Sequence, residues 1–384
     1  MTVEVNQEMQ VRYKRDWLTV GLTLVILTWS WISITRDTWR PSPAIDRWTI
    51  ADWLINYQGG PIRRGLFGEL VLRVSADSQM AAYIVLSFQL LMLAVLYILV
   101  FVLFLRTSRS PAWMMLVLSP AFLLFPLLSF QGGLRKELLV LVVFALVALL
   151  LSLRANAWWF LLPLGLFTLA AFSHETAALS LPAFLFLLWL GRKNGIFSRS
   201  QTVGLVVGWS LVGGLALLIA FLYPGTPDQA QAICQSLIDL GSSSEACAGA
   251  ISVIGQSLSD AMQAMSTQYP AYLGYLPLVA LASIPFAVLR APSVIWLLLL
   301  VSYLTLVPLF MTGIDYGRWI YLATALASIA LLAFGGEWVD REFKVPFIVA
   351  IVYIISWSLP YTGPLVQEPL FRSFMVGPLK TLFG

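Results

Sequence analysis

Residues 80–105 read MAAYIVLSFQLLMLAVLYILVFVLFL, an apolar run without a single Asp, Glu, Lys or Arg. About 20 helical residues cross the roughly 30 Å of hydrocarbon in a bilayer, so this stretch is long enough to span one. Inside lipid the backbone must satisfy its own hydrogen bonds, which makes such a run a helix; the weak alternation of barrel strands is absent. Comparable runs flank it, and spans are predicted at about 17–35, 80–105, 112–129, 138–153, 158–172, 176–191, 202–223, 272–289, 292–312, 319–335 and 345–363. The 384 residues are 59% hydrophobic and 11% charged, with a mean hydropathy of +0.85, far below the roughly 25% charged residues of a soluble domain. The expected fold is all-α, a polytopic transmembrane helical bundle of about eleven spans forming one domain over 1–384. No small-residue cleavage site follows the first span, which reads as a retained anchor.

Orientation follows from Lys and Arg in short loops, which resist translocation. Arg12, Lys14 and Arg15 precede the first span. Arg106 and Arg109, Arg154, Arg192 with Lys193 and Arg199, and Arg290 occupy alternate connections that hold no acidic residue. These loops and the N-terminus are expected to be cytoplasmic, and the C-terminal segment 364–384 external and lying on the membrane surface. Loop 224–271 has no Lys or Arg and carries Asp228, Asp239, Glu245 and Asp260, so it is expected to be external. Loop 36–79 is external by the same parity although it holds six arginines. Cys234 and Cys247 both lie in the acidic loop, in reach of a disulfide in an oxidising compartment, and closing so short a loop stabilises it by roughly 3 kcal/mol. The bacterial inner membrane is the expected location.

On the external side, polar residues gather in four clusters. The first is the loop with Asp37, Asp46, Asp52, Tyr57, Arg63 and Arg64, including the run Asn56-Tyr57-Gln58-Gly59-Gly60-Pro61-Ile62-Arg63-Arg64-Gly65-Leu66. After it, Leu66, Phe67, Leu70, Val71 and Val74 recur at helical spacing opposite Glu69 and Arg73, predicting an interfacial amphipathic helix. The second is Gln131-Gly132-Gly133-Leu134-Arg135-Lys136-Glu137, where two cations sit at the positive end of a helix dipole, an arrangement that an anion would relieve. The third is Ser173-His174-Glu175-Thr176, with Ser173 read as an N-cap and His174 the only histidine of the chain. The fourth is Gly313-Ile314-Asp315-Tyr316-Gly317-Arg318-Trp319, where Asp315 and Arg318 are spaced to pair on one helical face.

Carboxylates, guanidinium groups and helix N-termini on one leaflet suit an anionic amphiphile, and Arg binds phosphate bidentately. The chemistry this suggests is sugar transfer from a polyprenyl-phosphate-linked donor to a glycan, lipid or protein acceptor. Asp52 is the preferred base, with Asp46, Asp37, Glu175 and Asp315 as competitors. Arg63, Arg64, Arg135, Lys136 and Arg318 would hold the phosphate, with Tyr57, Glu137, His174 and Tyr316 in support. An acid in the first external loop, an interfacial helix after it and outward-facing arginines resemble the GT-C class of membrane glycosyltransferases. The 56–66 run resembles proteins of bacterial surface-polysaccharide assembly, and O-antigen polymerases are similar in span number. A flippase or transporter of lipid-linked oligosaccharide, and a non-catalytic envelope scaffold, are the rival readings. No P-loop or dinucleotide fingerprint is present, no spacing singles out metal ligands although the external carboxylates would accept a divalent ion, and the scattered charge of +4 gives no nucleic-acid groove.

Overall fold

The computed structural model describes residues 2–39, 43–269, 271–338 and 342–362. The expected surface segment 364–384 lies outside them. The molecule is all-helical, with 73% of residues in helices and no strand among the described residues. Five helices are long and apolar enough to cross a membrane: Trp17–Thr38 within α1 (Thr2–Thr38), then Ser78–Leu105, Arg199–Leu222, Ser293–Thr312 and Tyr316–Gly335. Between the first two lies α2 (Leu66–Val74), and the second is α3 (Ser78–Leu105).

The predicted span at 112–129 is not one helix. It consists of α4 (Pro111–Val117), a run of turns and α5 (Phe125–Leu128), followed by α6 (Phe130–Gly133). Pro120 disfavours helix at Ser119 before it, which ends the run. The irregular stretch is buried, and side chains from neighbouring helices satisfy it: Tyr97 donates to Leu123 O at 2.9 Å, and the Ser119 and Tyr353 hydroxyls lie 3.1 Å apart.

Next come α7 (Glu137–Ser152), α8 (Leu161–Ser173), α9 (Glu175–Leu179) and α10 (Leu181–Lys193). Pro182 follows the joint between the last two at Ser180, so the span expected at 176–191 is also divided. Then follow α11 (Arg199–Leu222), α12 (Pro227–Asp239), α13 (Leu258–Ser266), α14 (Ala271–Val288), α15 (Ser293–Thr312) and α16 (Tyr316–Trp338). The last, α17 (Phe347–Ile355), is much shorter than the span expected at 345–363 and gives way to a non-helical segment at Trp357–Pro360.

At the centre runs α16, 94% buried over its apolar stretch and packed against α15, α7, α14 and α3. Its small residues allow this closeness: a side chain at Gly335 would meet the Trp113 ring at 2.1 Å. At the other end, a side chain at Gly317 would meet Pro360 O at 1.8 Å, and Gly317 donates its N–H to Tyr361 O at 3.2 Å. The segment after α17 is thereby pinned under the start of α16.

Cys234 and Cys247 form a disulfide, with Cα atoms 5.4 Å apart. It ties α12 to a short 3-10 turn at Ser244–Cys247. This insert folds over the first loop, where Asn56 donates to Ser236 Oγ at 3.1 Å, Gln229 to Pro61 O at 3.1 Å and Ala250 N to Arg47 O at 2.9 Å.

Candidate functional site

Asp46 sets the path of the first loop. It accepts the N–H groups of Trp48, Thr49 and Ile50 at 2.9, 2.5 and 3.1 Å, turning the chain into a 3-10 turn at Ala51–Leu54 whose second residue is Asp52. Trp53 then donates its indole N–H to Leu134 O at 3.1 Å and packs edge-on against Phe67 and Phe88. From α3, Gln89 donates to both Thr49 O and Leu134 O at 2.9 Å. The loop is closed from α2 by Glu69, which accepts from Tyr57 N at 3.2 Å and Gln58 Nε2 at 3.3 Å. Gly68 lies so near this turn that a side chain would meet Ile55 O at 2.1 Å.

Three other segments converge on Asp52 and its neighbours. Arg135 lies with Nε 3.5 Å from Asp52 Oδ2, donates to Trp48 O at 2.9 Å and stacks over the Trp48 ring. Lys136 donates to Arg64 O at 3.3 Å. Glu175, at the start of α9, takes both arms of the Arg64 guanidinium, Nε at 2.7 Å, and has Arg63 at 3.7 Å. Arg318, in the first turn of α16, reaches Asp315 at 3.0 Å and Glu137 at 3.4 Å. Arg64 holds a left-handed backbone at φ 69°, uncommon for a residue with a side chain, and the bidentate grip of Glu175 fixes it there.

The interior of the network is sealed. Asp52 is 0% exposed, Glu137 1%, Lys136 2% and His174 2%, whereas Asp315 and Arg63 form a partly open rim. Burial pushes the Lys136 amine down to about 8, against the pull of Asp52. Burial would raise the Asp52 carboxyl, but Arg135 and Lys136 outweigh it and hold the group well below the usual carboxylate range. Glu175 is likewise lowered against its burial, chiefly by Arg64. His174 is held neutral by burial. Five cations, Arg63, Arg64, Arg135, Lys136 and Arg318, thus face four carboxylates, Asp52, Glu137, Glu175 and Asp315, leaving one net positive charge.

Both oxygens of Asp52 and both of Glu137 lack a hydrogen-bond donor from the protein, although each carboxylate sits beside a guanidinium. A buried charged acceptor left without a donor costs about 1–3 kcal/mol or more. The network therefore carries one positive charge in excess and is unsaturated in hydrogen bonds at two carboxylates, a state that an entering hydroxyl would complete.

No family model, characterised protein or solved structure matches the chain.

Several sequence expectations change against this geometry. Asp46 is engaged in holding its own turn. Asp37 is exposed in the last turn of α1 and takes part in none of the ion pairs above. His174, not Ser173, caps α9, with Nδ1 accepting from Thr176 N at 3.2 Å; Ser173 instead ends α8. Tyr57 meets the site through its backbone, with its ring packed against Gly65. Tyr316 belongs to an aromatic stack with Tyr272, Tyr275 and Phe310. The helix at 66–74 forms, but Phe67 and Val71 point into the protein while Leu70 and Val74 point out, and Glu69 is buried where an exposed polar face was expected. Gln89 was not singled out from the sequence; the signal was an amide within an otherwise apolar spanning run.

Proposed function

We propose that the buried charge network is the site of a membrane glycosyltransferase that takes a sugar from a polyprenyl-phosphate carrier on the external face of a bacterial inner membrane. One observation carries the reading: four segments far apart in sequence bring five cations and four carboxylates together at one end of the bundle, with Asp52 and Glu137 short of hydrogen-bond donors. In this reading the phosphate enters at the partly open rim of Arg63 and Asp315, with the buried Arg318 guanidinium behind it, and an acceptor hydroxyl donates to Asp52. As the hydroxyl oxygen bonds to the anomeric carbon, its proton passes to Asp52, and the carbon–oxygen bond to phosphate breaks with its electron pair leaving on the phosphate. The cations stabilise that growing charge. A bound phosphate also offsets the fields of Arg135 and Lys136, which lifts Asp52 from its depressed state and makes it a better base.

The orientation rests on the alternation of basic loops, and the oxidising compartment on the Cys234–Cys247 disulfide. A divalent ion has no supporting ligand set among the described residues. One feature favours a second reading, a flippase for a lipid-linked sugar: the buried, broken backbone between α4 and α7, since discontinuous helices line transporter sites. Transfer of labelled sugar from polyprenyl phosphate in proteoliposomes, run beside a lipid-flipping assay, separates the two. Glycosyl product lost in Asp52→Asn supports the enzyme; flipping without any product supports the transporter.

A further inference from the structure

The helices that carry the charge network at their N-terminal ends enclose a second polar place at the other. Glu137 and Ser152, the two ends of α7, are about 22 Å apart at 1.5 Å per residue. Around the far end of α7 lies a cavity of about 370 Å³ lined by Arg106, Arg109, Arg154, Ser152 and Asn194, with Leu105, Leu151 and Phe334 on its apolar side. The arginines come from two separate connections, and no Asp or Glu is among the described lining residues. Arg106 donates one N–H to Ser152 O at 2.9 Å, and Arg109 donates Nε to Leu105 O at 3.0 Å. A guanidinium has five N–H donors, so these bonds leave donors to spare.

Backbone conformation marks two of these arginines, as it also marks Arg290, which turns the same way outside the cavity. After α10 the chain turns through Gly195, at φ 69°, with Ile196 N bonded to Gly191 O. After α7 it makes the same turn, with Ala155 N bonded to Leu150 O, but Arg154 takes the left-handed place at φ 52°. Arg109 is left-handed as well, at φ 55°. Glycine is the comfortable residue there.

Basic residues in such loops direct insertion, but that role needs charge near a span end and is indifferent to where the folded side chain comes to lie. It does not account for guanidinium groups collected round one cavity with an apolar wall. We infer that this cavity binds an anionic phosphate, held by Arg106, Arg109 and Arg154, with the glycerol end of a membrane phospholipid against Leu105, Leu151 and Phe334. This site is separate from the charge network and does not depend on the transferase reading.

The test uses the full-length protein in neutral detergent and measures binding of dihexanoyl-phosphatidylglycerol, dihexanoyl-phosphatidylcholine and inorganic phosphate by thermal shift. Phosphatidylglycerol should stabilise the protein, and phosphatidylcholine, whose ammonium the arginines repel, should not. Stabilisation by inorganic phosphate alone to the same extent assigns the site to a free phosphate; its absence assigns the site to the lipid headgroup. Arg106→Gln with Arg154→Gln should abolish the shift. Arg106→Lys with Arg154→Lys keeps charge and insertion and should weaken binding about tenfold, the loss of charge-assisted bonds from a planar fork. Equal response to phosphatidylcholine, no response to either anion, or unchanged affinity in the Lys variant overturns the proposal.

Discussion

Asn in place of Asp52 keeps the side chain's shape and removes the charge beside Arg135, which is itself 6% exposed. Glycosyl transfer by Asp52→Asn is expected to fall at least about 100-fold, the usual worth of a positioned base, as measured by product formation in proteoliposomes. Glu175 is bonded differently, holding two arginines at once. Glu175→Gln leaves the partly exposed guanidinium groups of Arg63 and Arg64 without their carboxylate and should lower unfolding stability by about 1–3 kcal/mol, read as a fall in melting temperature in detergent. Lys136 carries a pH signature. Its amine titrates near 8 when folded and near 10.5 when exposed, so between those values the unfolded chain binds the extra proton and stability rises with pH. The rise is at most roughly 3 kcal/mol and should vanish in Lys136→Met; a melting curve against pH with the same slope in both proteins would contradict it.

At the scale of elements, close approaches rather than charges fix the site. Gly68→Ala drives a methyl into Ile55 O and should displace the turn that carries Asp52, at about 1–3 kcal/mol of stability, measured by thermal unfolding. The long runs of α3, α11, α15 and α16 were legible because length and apolarity alone declare a spanning helix. The break at 118–124 was not, because apolar residues continue through it: Pro120 interrupts the backbone and Pro126 stands in the first turn of α5 while hydropathy stays high. The four clusters were legible as polar residues at helix ends, and Arg318 with Asp315 by spacing. That Arg318 also reaches Glu137, and Arg64 reaches Glu175 across 111 positions of sequence, required the packing of α16 on α7 and of the first loop on α9. Asp46 and Asp52 are alike as letters; only the turn at 47–54 separates a capping carboxylate from a buried one.

For the whole molecule, the Arg-lined cavity and the charge network occupy opposite ends of the same helices. If the first faces the cytoplasm, a reporter inserted at 242, in the acidic insert, should report the external side and one inserted at 195 the cytoplasmic side; signals on the same side would break the parity. The insert closes over the first loop through Asn56, Pro61 and Arg47, so access to the network is expected at the rim formed by Arg63 and Asp315. Photo-crosslinking with a benzophenone-bearing polyprenyl phosphate, mapped by mass spectrometry on the purified protein, probes that rim. Labelled peptides should contain residues 48–64, 134–137 or 315–319 and be competed by unlabelled polyprenyl phosphate but not by the uncharged alcohol. Labelling spread along the outer faces of α1 and α11, indifferent to the phosphate, would mean that no phosphorylated lipid enters the network.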